Sequence, residues 1–171
     1  MTYNLKFIFL FSILFLTILN ASCDNNWTDK KRKDFAYNCS LIDTIPNLDC
    51  SVTGFKYSEI NPILVQRINN GLIIDTFNIF ASKSGFDSLR SRYYVYIPRV
   101  LLLKDTYRFI LKCGQSFKLS EMKMVMWPQY SMFSEGYGCV MGDYKIDDVR
   151  FENQTNPDFI KPGFKMFKSK G

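Results

Sequence analysis

Apolar residues fall in short segments along this chain, separated by Gly, Pro, Asn and Asp. The segments are rich in Ile, Val, Phe, Tyr and Thr, the residues that fit a pleated surface. Strands are predicted over 51–57, 63–68, 72–80, 92–97, 107–113, 117–127, 144–151 and 164–167. Asn69-Asn70-Gly71 reads as a hairpin turn, because Asn-Gly tolerates the positive φ that a tight turn needs. Lys83-Ser84-Gly85-Phe86-Asp87 reads as a second turn, and Pro98 closes the segment Arg-Tyr-Tyr-Val-Tyr-Ile. Within 117–127 a period of two puts Met122, Met124 and Met126 on one face and Lys123, Val125 and Trp127 on the other. No stretch carries a sustained 3.6-residue apolar period with caps; 62–67 comes nearest and is short. The expected fold is all-β, an immunoglobulin-like sandwich of about eight or nine antiparallel strands, occupying 36–171.

The amino-terminal region departs from this texture. Residues 7–19 form an uninterrupted apolar run of 13, preceded by Lys6 and followed by Asn20, Ala21, Ser22 and Cys23. That is the pattern of a secretory signal over 1–22, with cleavage after Ala21 or Ser22. The run is shorter than the roughly 20 residues of a membrane span, and a retained signal anchor is the alternative. Residues 23–35, with Lys30-Lys31-Arg32-Lys33, read as a flexible basic lead-in. The expected location is extracellular. Lipid anchoring through Cys23 is a second possibility, although Asn20 stands where a lipobox usually has leucine.

Setting Cys23 aside leaves Cys39, Cys50, Cys113 and Cys139, enough for two disulfides. Three connectivities exist, and Cys39–Cys50 with Cys113–Cys139 closes the shorter loops. The spacings of 11, 63 and 26 lack the close pairs of a zinc site, so no metal is expected. Asn26, Asn38 and Asn153 each open an Asn-x-Ser/Thr acceptor for glycosylation.

The net charge is +6 and there is no histidine. This excludes Ser-His-Asp and Cys-His catalysis and every histidine metal site. Ser116 with Lys118, and Ser82 with Lys83, sit in no recognisable nucleophile turn, and Asp147, Asp148 and Glu152 read as solvent-facing acids of an outer strand. The chain is expected to be no enzyme and to hold no cofactor. Lys161, Lys165, Lys168 and Lys170 alternate with Phe164 and Phe167, a mixture that suits single-stranded nucleic acid. An exported protein meets anionic membrane surfaces or glycans instead, so no nucleic-acid partner is expected.

Methionine and aromatic side chains suit irregular apolar surfaces. A strand face of Met122, Met124 and Met126, near Trp127, Tyr130 and Phe133, is suited to lining an apolar cavity, with Arg99, Lys118 and Lys123 at its mouth to pair with an acidic headgroup. Ordinary core packing is the competing reading of the same face. The segment Gly142-Asp143-Tyr144-Lys145-Ile146-Asp147-Asp148-Val149 resembles the Gly-x-Tyr-x-Ile/Leu opening of the penultimate strand in the ML lipid-recognition superfamily, which includes the ganglioside activator and insect chemosensory relatives. The resemblance implies a secreted sandwich holding a lipid or other hydrophobic ligand between two sheets. The second expectation is a secreted protein–protein interaction module (a host-directed effector, ligand or surface adhesion protein) with a filled core. An interior cavity of about 300 Å³ or more separates the two.

Overall fold

The first described element in the computed structural model is a helix. The structure describes residues 27–130 and 135–165. Segment 1–22, Cys23, Asn26, Phe133 and the second half of the predicted strand 164–167 lie outside them. Where a flexible lead-in was expected, helix α1 (Asp29–Ser40) forms, capped by the Thr28 hydroxyl, which accepts the Lys31 N–H at 3.3 Å. Arg32, Phe35, Ala36 and Cys39 are its less exposed positions, spaced three and four apart as one helical stripe. The consecutive basic residues mask this stripe in the sequence, since Lys30, Lys31 and Lys33 stay exposed.

Among the described residues twelve strands follow: β1 (Thr44–Ile45), β2 (Leu48–Thr53), β3 (Ile63–Asn69), β4 (Leu72–Ile79), β5 (Ala81–Asp87), β6 (Arg92–Ile97), β7 (Leu101–Leu102), β8 (Thr106–Ile110), β9 (Ser116–Tyr130), β10 (Glu135–Ile146), β11 (Val149–Phe151) and β12 (Asp158–Ile160). One short helix, α2 (Tyr57–Ile60), sits between β2 and β3. The large sheet runs β11-β10-β9-β8-β3-β4, the small sheet β12-β2-β6-β5, and β1 pairs with β7. Pairing is antiparallel except that β12 lies parallel to β2, which corrects the purely antiparallel expectation.

The hairpin at Asn69-Asn70-Gly71 forms as read: Asn70 and Gly71 have φ of 49° and 79°, and Asn69 faces Leu72. Other boundaries differ. Residues 83–87 belong to β5, an edge strand whose polar side chains face water. The segment 144–151 is split by a turn at Asp147, with φ 44°, into the end of β10 and β11. The last described strand is β12, upstream of 164–167.

The large and small sheets share one core. Val52, Val95, Ile97 and Phe159 of the small sheet meet Val65, Phe109, Phe117 and Leu119 of the large one. The Phe159 ring lies 4.6 Å from that of Phe109 and 5.3 Å from that of Phe117, and Phe117 meets Phe55 edge-on at 6.2 Å. These rings belong to the core cluster between the sheets.

One disulfide, Cys39–Cys139, is present among the described residues. Neither expected pair, Cys39–Cys50 or Cys113–Cys139, forms. Cys50 points into the core from β2 and is a buried thiol, while Cys113 is exposed in the turn before β9. Helix α1 packs on β9 and β10, which carries Cys39 to Cys139 instead. The bond indicates an oxidising compartment. No described helix is long and apolar enough to cross a membrane.

Candidate functional site

Lys118 is the centre from which the predicted site is best built. Its neighbours Phe117 and Leu119 are buried, so alternation turns Lys118 to the outer face of the large sheet, opposite Arg108. Its N–H donates to Asp147 Oδ1 at 2.9 Å, and the Asp147 N–H donates to its carbonyl at 2.7 Å. Its Nζ lies 3.4 Å from Asp148 Oδ1. These contacts stitch the β10–β11 turn onto β9.

The strand then changes parity. Lys145 faces Ser120 and Asp143 faces Lys123, so β9 holds three steps against two on β10. Glu121 takes up the difference as a bulge with φ 52°. Because of it Met122 follows Leu119 into the core, and Lys123 joins Lys118 outside. An open cleft of about 600 Å³ results, lined by Asp43, Lys104, Lys118, Glu121, Met122 and Lys123. Glu121 Oε1 accepts Lys145 Nζ at 2.7 Å, and this hydrogen bond holds the Glu121 carboxyl below its ordinary value. A neighbouring cleft of about 410 Å³, with Arg108, Ser116, Lys118 and Asp148 on its walls, opens on the other side of Lys118.

The structure thus brings Lys118, Met122 and Lys123 together, with Met122 contributing little exposed surface. It places the other predicted residues elsewhere. Met124 faces Met141 and Met126 faces Cys139, both half-buried on the face that α1 covers. Trp127 is half-buried on the opposite face, and Tyr130 is exposed at the end of β9. Arg99 pairs with Asp75 at 3.2 Å and lies over the Phe77 ring at 4.4 Å, beside a separate cleft of about 220 Å³. Asn38 and Asn153 are both exposed. No group of three or more Cys, Asp or Glu side chains is arranged to hold a metal among the described residues.

A second constellation was not singled out in the sequence. On the outer face of the small sheet, Arg92 Nη2 donates to Asp158 Oδ2 at 2.6 Å, and Thr53 Oγ1 donates to Asp158 Oδ1 at 2.7 Å. Tyr94 and Tyr96 stand beside them, both exposed. The available signal was the alternation of Arg92, Tyr94 and Tyr96 against Tyr93, Val95 and Ile97. Compared with known proteins, the chain matches no family model, no curated protein and no solved structure.

Proposed function

We propose that the protein is a secreted interaction module, an immunoglobulin-like sandwich that engages an extracellular protein partner through its outer surface. The observation that carries this reading is the packing of Phe109, Phe159 and Phe117 against one another in the core between the two sheets, where a lipid carrier needs a cavity. Export is supported by the signal pattern over 1–22 and by the disulfide. Exposed Asn38 and Asn153 are accessible to glycosylation.

The segment resembling the lipid-recognition superfamily supports a framework role here. Tyr144 stacks on Phe151 at 5.4 Å, and its hydroxyl donates to the Asn156 carbonyl at 3.2 Å. Burial pushes that phenol up to about 12. Gly142 allows close packing, since a Cβ there would overlap the Val125 side chain. Native mass spectrometry tests the proposal. After incubation with a mixed phospholipid and sterol extract, the protein is expected to keep its bare mass. A stoichiometric lipid adduct that survives desalting overturns the reading in favour of the lipid carrier.

A further inference from the structure

A cleft of about 510 Å³ lies on the outer face of the small sheet, away from Lys118. Alternation turns Cys50, Val52, Val95 and Ile97 inward, so Asp49, Ser51 and Thr53 on β2 share the outer face with their register partners Tyr96, Tyr94 and Arg92 on β6. The segment 152–157 forms the opposite wall and is fixed from three sides. The Gln154 N–H donates to the Gly142 carbonyl at 2.9 Å, the Ser51 N–H donates to the Pro157 carbonyl at 2.9 Å, and Tyr144 holds the Asn156 carbonyl. The wall is therefore part of the framework.

The chemistry of the lining narrows what fits. Arg92 and Asp158 lie at the floor, each about four-fifths buried, and are committed to one another, with Thr53 on the second carboxylate oxygen. Arg90 at the rim lies 3.9 Å from Asp87. No buried cation is left to select an anion, and Asp49 adds a carboxylate that would repel one. The lining is mixed: Asp49, Ser51, Gln154 and Asn156 share it with Phe151 and Ile160, and the Tyr94 ring stands among them half-exposed. Such a lining offers donors and acceptors around the half-exposed Tyr94 ring.

We propose that this cleft binds a neutral saccharide, with the sugar's C–H face on the Tyr94 ring and its hydroxyls on Asp49, Gln154 and Asn156. Each sugar hydroxyl both donates and accepts, which matches amide and carboxylate side chains. Pyranose rings present a flat C–H face that packs on an aromatic ring while the rim stays wet, a combination that tyrosine serves at low entropic cost. A cleft of this volume is within the range of small-ligand sites. The inference does not rest on the protein-partner reading, because it uses a different face and makes no demand on the core.

The test is a glycan array probed with the purified protein, carrying neutral oligomers of glucose, mannose, galactose and N-acetylglucosamine beside sialylated and sulfated counterparts. The best neutral oligomer is then titrated calorimetrically. Binding of a neutral oligomer is expected, with Tyr94→Ala weakening it about tenfold. Gln154→Ala, at an exposed wall position, is expected to weaken it as well, and decides the matter if Tyr94→Ala fails to fold. Arg108→Ala on the other sheet should leave binding unchanged. Recognition of sialylated or sulfated glycans alone, absence of any neutral binder, or full affinity in a folded Tyr94→Ala variant overturns the proposal. None of these results alters the lipid-uptake test.

Discussion

The large sheet is held in two different ways along its length. At its middle, β3, β8 and the first half of β9 face the small sheet, and three stacked phenylalanine rings lock the two together. Further along, β9 runs to 15 residues against the six of β2, and helix α1 packs against the long β9–β10 ribbon. Met124, Met126 and Cys139 there are only half-buried. The cover is fastened by Cys39–Cys139 and by Trp27, whose ring meets Phe35 at 5.5 Å and Tyr137 at 4.7 Å. Where two sheets meet, burial suffices. Where, among the described residues, the ribbon is covered by a helix, a covalent tie and a few aromatic contacts fasten the cover.

The sharpest test of this contrast is Phe159→Ala. Removing the ring that bridges the sheets leaves a cavity and should cost about 3–5 kcal/mol in urea unfolding, with both regions melting together. Next comes the double substitution Cys39→Ala with Cys139→Ala. The bond spans 100 residues, so its loss should cost about 2–5 kcal/mol. Hydrogen exchange should show α1 losing protection while β2 and β6 keep theirs; equal loss in the small sheet would break the comparison. Thr28→Ala removes the α1 cap, with an expected loss of about 1 kcal/mol by chemical denaturation and local deprotection of the helix start.

The smallest effect belongs to Glu59→Gln on α2. The Glu59 carboxylate accepts the Lys56 N–H at 2.6 Å and Lys161 Nζ at 3.0 Å, and the backbone bond above all holds its pKa below the ordinary value. The ionised form therefore stabilises the fold above the unfolded chain's titration, near pH ~4.3, and that contribution fades as the pH falls through the lower folded value. Melting temperatures should show the variant below wild type at pH 7, with the gap closing in acid. A gap that is constant with pH would show that the carboxylate's charge contributes nothing.

Strand texture made much of the fold legible. Arg-Tyr-Tyr-Val-Tyr-Ile alternates cleanly because one face is buried, and Asn-Gly marks its hairpin because few other residues accept that backbone. The polar edge strand β5 was not legible, since a strand wet on both faces has no alternation to read. Helix α1 was hidden because its inward stripe begins with Arg32 inside a basic run. The site was harder. Lys118 and Lys123 differ in parity and share a face only through the bulge at Glu121, which no period of two anticipates. Cysteine pairing depends on where α1 docks, which neither spacing nor loop length reveals.

The parallel seat of β12 beside β2 has a consequence for how the chain comes to be made. Asp158 lies opposite Ser51, so partners in the same small sheet are more than a hundred positions apart. During synthesis β2, β5 and β6 emerge early but remain without their outermost neighbour until residues 158–160 appear. Phe159, which completes the ring stack, arrives at the same late moment. Such long-range pairing is slow to form and leaves a strand edge open meanwhile. The small sheet is therefore completed only once residues 158–160 have emerged, and the nascent chain must be kept from pairing that edge with another molecule until then.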